Sequence, residues 1–184
     1  NIDVEAATRL GIAVVNAPTG NSNAVAEQTV ALMLAMARRV YPAIASMKAG
    51  RWEKSALQGT EVKGKILGLV GLGRIGRMVA AKAKGLEMQI VAYDPYATED
   101  SAASLGAKLL PLADVLQQAD YISIHTPLTP QTTGLIGKAE LAMMKPTAYL
   151  LNCARGGIID EGALKQALKE QRLGGAALDV FAVE

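Results

Sequence analysis

Leu67-Gly-Leu-Val-Gly71-Leu-Gly73-Arg-Ile-Gly76 joins a short apolar run to a Gly-x-Gly-x-x-Gly turn. The apolar run is Ile66–Val70, and the turn leads into a helical pattern over Ile75–Lys84. A second apolar run, Gln89–Tyr93, ends in the acidic residue Asp94. This order of strand, glycine turn, helix, strand and acid is typical of a unit that binds a dinucleotide.

Each residue of this unit has a predicted role. Gly71 permits a tight turn, Gly73 lets the backbone approach a pyrophosphate, and Gly76 lets the helix pack closely on the strand. Asp94 is expected to accept hydrogen bonds from both ribose hydroxyls and to repel a 2′-phosphate. No arginine follows in Pro95–Ala97, so NAD is favoured over NADP. The alternative is a purely structural glycine turn.

Apolar runs alternate with amphipathic patterns along the rest of the chain, which predicts a parallel sheet covered on both faces. The fold class is therefore α/β, a Rossmann-type doubly wound parallel sheet with an N-terminal long helix and arm. The further predicted strands are Lys108–Leu109, Tyr121–Ile124, Ala148–Asn152 and Gly175–Asp179. The further predicted helices are Ser101–Leu105, Leu112–Gln118, Lys138–Met143 and Glu161–Gln171.

The N-terminal third has a different pattern. It predicts a short helix over Val4–Leu10, a strand over Ile12–Val15, a long helix over Ala24–Val40 and a further helix between Pro42 and Gly50. We assign residues 1–60 to a helical arm and residues 61–184 to the nucleotide-binding domain. Because the chain starts without Met and stops just past a strand, we expect it to be part of a longer protein.

Composition excludes several classes of function. The 184 residues carry a net charge of only +2, with one Trp and one Phe and no basic run, so nucleic-acid binding is disfavoured. The apolar segment 24–37 is too short, and too interrupted by polar residues, to span a membrane. Cys153 is the single cysteine, which fits a reducing compartment such as the cytoplasm. No metal site is predicted.

Polar segments follow the predicted strands, at the edge where parallel sheets bind ligands. They are His125-Thr126-Pro127, Asn152-Cys-Ala-Arg155-Gly-Gly157 and Asp179-Val-Phe-Ala-Val-Glu184. The planar guanidinium of Arg155 suits a substrate carboxylate and an adjacent carbonyl oxygen. An ion pair with Asp160, Asp179 or Glu184 is the structural alternative, and the residues alone do not decide between the two.

Several motifs together resemble the D-isomer-specific 2-hydroxyacid dehydrogenases over essentially the whole chain. They are Gly71-Leu-Gly73-Arg-Ile-Gly76, Tyr93-Asp94-Pro95, His125-Thr-Pro127, Asn152-Cys-Ala-Arg155-Gly-Gly157 and Ala177-Leu-Asp179-Val-Phe181. The Ala-Arg-Gly-Gly and Leu-Asp-Val-Phe motifs are much more specific than the glycine turn.

The resemblance implies a role for each site residue. Arg74 and Ile75 would contact the pyrophosphate through their backbone, and Asp94 would bind the adenosine ribose. The remaining cofactor pocket would be lined by Thr126, Pro127, Cys153 and Asp179. The catalytic residues would be Arg155, which holds the substrate carboxylate and polarises the reacting oxygen, and Glu184, which raises the pKa of a catalytic histidine.

That histidine is expected to lie beyond Glu184, and the substrate-binding domain is also expected outside the chain. The chain alone is therefore expected to bind NAD without catalysis. His125, the single histidine, is disfavoured as the base because its motif resembles a wall of the cofactor pocket. Cys153 is read as pocket lining and not as a nucleophile, because hydride transfer needs none.

The implied substrate is a small 2-hydroxy acid. If it carries a phosphate, Lys54 and Arg51 are the candidate contributors within this chain, although a solvated linker is the favoured interpretation of that turn. The resemblance also implies a two-fold subunit contact through the helix Ala24–Val40 and its arm, and so a homodimer or higher oligomer. An NADH-responsive corepressor is the alternative class, and a related NAD-dependent hydrolase has less support.

Overall fold

The computed structural model describes residues 2–17 and 19–184, and within them it contains one six-stranded parallel sheet with the order β3-β2-β1-β4-β5-β6. The strands are β1 (Ile66–Val70), β2 (Gln89–Tyr93), β3 (Ala107–Leu109), β4 (Tyr121–Ile124), β5 (Tyr149–Asn152) and β6 (Gly175–Leu178). The order reverses at β1, since β2 pairs on one side of it and β4 on the other. The predicted Rossmann-type doubly wound sheet is confirmed.

Helices cover both faces of the sheet. They are α1 (Val4–Arg9), α2 (Ser22–Ala37), α3 (Val40–Lys48), α4 (Arg74–Gly85), α5 (Glu99–Ala103), α6 (Leu112–Gln118), α7 (Lys138–Met143) and α8 (Glu161–Lys169). Helices α2 and α4 bury their apolar residues in one core cluster. Helices α6, α7 and α8 bury theirs in the other. The central strands consequently have near-continuous apolar sequences, because neither face meets water.

The predicted helix over Ala24–Val40 is wrong in its C-terminal end. The structure ends α2 at Ala37 and begins α3 at Val40, and Arg39 between them is left-handed with φ 53°. In one continuous helix the ring of Pro42 would clash with the carbonyl of Arg38, four residues earlier. The break instead leaves Pro42 in the first turn of α3, where its missing N–H costs nothing.

The predicted strand over Ile12–Val15 is also wrong. The backbone there has no regular structure, and none of its residues pairs with the sheet within residues 2–17 and 19–184. Val15 is 89% exposed and Ile12 is 58% exposed. An apolar run becomes a strand only when a neighbouring strand accepts its backbone hydrogen bonds, and this run has no such neighbour.

One helix pair has the composition of a broken membrane span. In the described part of the chain no single helix is long and apolar enough to cross a membrane. The bent pair of α2 and α3, which meet at 64°, passes that test by length and composition alone.

Gly68 sets the distance between β1 and α6. A Cβ at this position would lie 2.8 Å from both Val115 Cγ1 and Ala119 Cβ. We predict that Gly68→Ala lowers the free energy of unfolding by about 1–3 kcal/mol, because the extra methyl overpacks the core. Gly85→Ala is the matched control, since a Cβ at the end of α4 meets nothing within 4 Å. Urea unfolding of both variants checks this, and equal midpoints would contradict it.

Candidate cofactor and substrate site

The strand register brings the predicted site residues to one edge of the sheet. Val70 is paired with both Tyr93 and Ile124 at the ends of their strands. Asn152 is paired with Ile124 and with Leu178. The residues that follow these strand ends are Gly71, Asp94, His125, Cys153 and Asp179. They therefore form a row across the carboxyl edge, where doubly wound folds bind ligands.

Two of the three motif glycines are required by packing. Gly71 has φ +102°, and a Cβ there would lie 2.8 Å from the carbonyl carbon and oxygen of His125. A Cβ on Gly76 would collide with the carbonyl oxygen of Gly71. The lack of a Cβ at Gly76 thus lets the start of α4 lie against the end of β1, as the sequence predicted, and its lack at Gly71 lets the turn pass close to the backbone after β4.

Gly73 differs from the other two glycines. Its φ of −66° and ψ of −166° are extended values that any residue adopts, and a Cβ there would meet nothing within 4 Å. Gly73 is the N-cap of α4, whose first residues are Arg74 and Ile75. The open space therefore lies at a helix N-terminus, where free N–H groups and the helix dipole favour a phosphate. The turn fits the pyrophosphate of a dinucleotide.

Asp94 is already bonded to the backbone on both of its carboxylate oxygens. Oδ2 accepts from the Leu72 N–H at 2.7 Å, and Oδ1 accepts from the Tyr96 N–H at 2.8 Å. An ionised carboxylate has about four acceptor positions, so two are left for ribose hydroxyls. The side chain is half-buried and remains accessible to a ligand.

A cavity of about 210 Å³ lies between the glycine turn and the segments after β4 and β5. Its walls are Asn21, Val25, Ile75, His125, Thr126, Pro127, Cys153, Ala154 and Arg155. The structure thus brings together five predicted site residues, whereas Asp179 and Glu184 lie outside this lining. The buried Thr126 Oγ1 has no hydrogen-bond partner among the described residues. A buried unsatisfied hydroxyl is costly, which favours a ligand or water at this position.

Asn152 shapes the loop that carries Arg155, and the sequence reasoning did not identify it as a site residue. Its Oδ1 accepts from the Ala154 N–H at 3.0 Å, and its Nδ2 donates to the Arg155 carbonyl at 2.9 Å. The side chain is 3% exposed. An amide at the end of a buried strand was the available signal, because such a polar group needs local partners.

Arg155 itself projects into solvent at the cavity rim. Its Nη1 donates to the Ala154 carbonyl at 2.6 Å, and the salt bridges of the described residues do not include it. The structural alternative of an ion pair with Asp160, Asp179 or Glu184 is therefore not found. Asp160 instead caps α8 through the Ala163 N–H. The guanidinium is positioned at the ligand edge with donors left over.

The segment after β6 packs directly on the Arg155 loop. A Cβ on Gly156 would collide with the carbonyl of Phe181. Glu184 Oε1 accepts from the Phe181 N–H at 3.0 Å, and the Ala182 N–H donates to Glu161 Oε1 at 2.7 Å. Glu184 thus lies on the segment that covers this loop, although its carboxylate bonds to the backbone and not to Arg155.

His125 and Cys153 are both shifted toward their neutral forms. Burial lowers the pKa of His125 to about 4, and its Nε2 lies 2.9 Å from Ser123 Oγ. Its Nδ1 is buried without a hydrogen-bond partner in the part of the chain that is described. Burial also raises the pKa of the Cys153 thiol, with a hydrogen bond from Thr29 acting in the opposite direction. A neutral thiol is a poor nucleophile.

A metal is not suggested by the side chains. Within residues 2–17 and 19–184, no three His, Cys, Asp or Glu residues are grouped so that they could hold an ion.

Comparison with known proteins decides the family. The model of the family described as "D-isomer specific 2-hydroxyacid dehydrogenase, NAD binding domain" matches residues 30–184. The chain belongs to this family. The predicted dinucleotide fold and the NAD cofactor are thereby confirmed.

Curated relatives match the chain over its full length. The D-3-phosphoglycerate dehydrogenase of Methanocaldococcus jannaschii is 51% identical over 185 residues, which cover 100% of this chain and 35% of that protein. The rat enzyme of the same name is 49% identical over 184 residues, covering 100% of this chain and 34% of the relative. The chain thus spans about a third of the length of these relatives.

Solved structures of the family have the same fold. The apo D-lactate dehydrogenase of Escherichia coli has a TM-score of 0.91 at 34% identity, covering 99% of this chain and 57% of that one. The D-lactate dehydrogenase of Lactobacillus jensenii with NAD+ has a TM-score of 0.87 at 33% identity, covering 99% of this chain and 55% of that one.

Gly73 and Gly76 separate cofactor binding from folding. We predict that Gly73→Ala leaves the thermal midpoint unchanged but weakens NADH binding about tenfold or more, because the methyl fills space that a pyrophosphate needs. Gly76→Ala is the contrasting variant and should lower the midpoint by several degrees, because its methyl meets backbone. NADH fluorescence titration and thermal unfolding test this. Wild-type affinity in a folded Gly73→Ala variant would contradict it.

The His125 imidazole, whose Nδ1 atom is buried, predicts a defined acid sensitivity of folding. Its folded pKa of about 4 lies below the ordinary value of 6.5, so between these values the unfolded chain binds a proton that the folded chain does not. The stability due to neutral His125 is full above pH 6.5, falls as the pH drops toward 4 and levels off below 4. We predict that His125→Gln removes this pH-dependent component. The free energy of unfolding of the wild type minus that of the variant, measured across pH 3.5–7.5, should therefore fall as the pH drops from 6.5 toward 4. A difference that does not change with pH would refute it.

Proposed function

We propose that the protein to which this chain belongs oxidises 3-phospho-D-glycerate to 3-phosphohydroxypyruvate with NAD, the reaction of D-3-phosphoglycerate dehydrogenase in serine biosynthesis. The observation that carries the proposal is identity of about half over the whole chain to relatives of that name, for example 51% and 49%. Identity to the solved D-lactate dehydrogenases is lower, at 34% and 33%.

The cofactor contacts of the proposal follow the row of strand ends. Backbone N–H groups of Arg74 and Ile75, beside the open space at Gly73, hold the pyrophosphate. Asp94 holds the adenosine ribose and disfavours a 2′-phosphate. The remaining pocket residues are Thr126, Pro127, Cys153 and Asp179. Bound NAD supplies the hydride acceptor at its nicotinamide ring, and the sheet edge fixes its position relative to the substrate.

Arg155 is proposed to bind the substrate carboxylate and to stabilise charge on the reacting oxygen. Its support is the absence of an ion pair in the described residues and its position at the rim of the cavity. Glu184 is proposed to tune the catalytic histidine that the family resemblance assigns to the sequence after it. Proton transfer then belongs to that histidine, and His125, whose pKa is lowered by burial of its imidazole, is a wall of the pocket.

A substrate phosphate needs further cations. Lys54 is a candidate within this chain. Arg51 Nε lies 3.4 Å from Glu53 Oε2, so the charge of Arg51 is partly neutralised. Other cations would come from the rest of the protein. We also propose a cytoplasmic enzyme, in keeping with a single buried cysteine.

A homodimer is part of the same proposal. The arm exposes a run of large apolar side chains, namely Val40, Tyr41, Ile44, Met47 and Trp52, the last 77% exposed. Next to it, a cavity of about 700 Å³ lies between the end of α2 and the start of β6. Contiguous exposed apolar surface is typical of a subunit contact.

The proposed role of Arg155 is tested in the whole protein by kinetics. We expect Arg155→Ala to lower kcat/KM for 3-phosphoglycerate by about 10²–10³-fold, because the fork that binds the carboxylate and the reacting oxygen is lost. Arg155→Lys should recover only part, since an ammonium cannot bind in the bidentate mode. NADH affinity should not change. Arg172→Ala, at an exposed arginine after α8, is the matched control.

Two results would count against the proposal. A loss of less than threefold in Arg155→Ala would reject the substrate role, and would favour an NADH-responsive interaction protein that needs no such arginine. Turnover of D-lactate or glyoxylate well above that of the phosphorylated pair would retain the dehydrogenase class and reject the named substrate.

A further inference from the structure

Leu72 is held by charged side chains through both of its backbone polar groups. Its N–H donates to Asp94 Oδ2 at 2.7 Å, and its carbonyl accepts from Arg77 Nε at 3.0 Å. Its own side chain is 2% exposed and packs in the core cluster with α2 and α4. The middle residue of the glycine turn is therefore fixed by three independent contacts.

These contacts restrain the part of the turn that has the greatest backbone freedom. Leu72 stands between Gly71 and Gly73, and glycine loses more conformational freedom on ordering than any other residue. The two peptide units that flank Leu72 are therefore the ones that a short glycine-rich turn would otherwise leave free to rotate. Fixing them determines how the turn enters α4 at Gly73, beside the space that fits a pyrophosphate.

We propose that Asp94 and Arg77 together position the cofactor loop, acting on Leu72 from the end of β2 and from the second turn of α4. Arg77 is a positioning residue that does not itself touch the cofactor. Asp94 has a second duty, distinct from binding ribose hydroxyls, because its bond to Leu72 orders the turn before any ligand arrives. We call this pair of contacts the Leu72 clamp.

The geometry favours a clamp over a simple ion pair. Asp94 and Arg77 make no salt bridge with each other in the described residues, so each acts on the loop and not on the other. The carboxylate also keeps free acceptor positions, so loop ordering and ribose binding do not compete for the same lone pairs. The inference rests on the NAD-binding role of the family and deepens only the Asp94 part of the proposed function; it does not depend on the substrate.

The first test uses the wild-type chain without ligand. Amide hydrogen exchange followed by NMR should show the Leu72 N–H protected, and Asp94→Asn should make it exchange at least about tenfold faster. Rapid exchange of this amide in the folded wild-type chain would overturn the proposal, even if no variant could be prepared.

The second test separates the two duties of Asp94 by using ligands with and without ribose hydroxyls. Affinities for NADH, ADP and 2′,3′-dideoxy-ADP are measured in Arg77→Met, Arg77→Lys and Asp94→Asn. Arg77→Met should weaken all three ligands by one common factor of about fivefold, which corresponds to the typical net contribution of one hydrogen bond. Arg77→Lys, which keeps a charged donor, should recover part of that loss.

Asp94→Asn should weaken 2′,3′-dideoxy-ADP measurably and ADP more strongly, because only ADP also loses its ribose contact. Lys82→Met is the matched control. Lys82 is a cation of the same helix, but it pairs with Glu27, and no bond from it to the glycine turn is found among the described residues. Its affinities should equal those of the wild type.

Each result decides something. If Asp94→Asn leaves the dideoxy ligand unaffected, Asp94 acts only on the ribose and its positioning duty is rejected, while the proposed ribose contact survives. If Asp94→Asn weakens the two nucleotides equally, the ribose contact is rejected and the clamp survives. If Arg77→Met behaves like Lys82→Met, the role of Arg77 is overturned.

Discussion

The carboxyl end of β1 is hydrogen-bonded to the backbone on both sides. The Gly71 N–H donates to the Tyr93 carbonyl at 2.8 Å, and the Val70 carbonyl accepts from the His125 N–H at 2.7 Å. Because the chain runs outward from β1 in both directions, the connections after β1 and β4 diverge at this point. The divergence leaves a crevice, and the two bonds hold its walls at a fixed separation. The other parts of the site are arranged around that crevice.

The glycine turn combines a folding constraint with a binding feature. Gly71 and Gly76 are needed because backbone and side-chain atoms of other segments occupy the space where a Cβ would lie. Gly73 is surrounded by open space, so its lack of a side chain is not required by the packing of the fold. One short motif therefore contains residues whose replacement would affect different properties, and the type of residue alone does not distinguish them.

The Arg155 loop is ordered differently, by contacts between loops. The Asn152 side chain fixes the Arg155 loop through two hydrogen bonds to its backbone, and Gly156 lets the backbone of Phe181 lie directly on the loop. Ordering by backbone contacts leaves the Arg155 side chain without an acidic partner in the described chain. A cation kept in this way at a ligand edge is available to an anionic substrate.

Local pattern determined most of the fold from the sequence alone. The predicted bounds of β1, β2, β4, α6 and α7 agree with the structure, because buried parallel strands and amphipathic helices have distinct periodicities. The family motifs likewise identified the edge of the sheet at which the site residues assemble. The apolar residues over Ile12–Val15 fit a strand, and no local signal showed that they would form none. Among the described residues no strand pairs with this run.

Tertiary structure decided the features that depend on contacts between distant segments. Helix α2 ends where the Thr60 N–H reaches the Ala37 carbonyl at 2.8 Å. Leu72 is held by Asp94 through a bond that joins positions far apart in the chain. Periodicity and motifs describe each segment by itself, whereas these hydrogen bonds exist only once the sheet has brought the segments together. The sequence by itself therefore determined that this is a dinucleotide-binding fold, and the folded chain decided how the glycine turn is held in position.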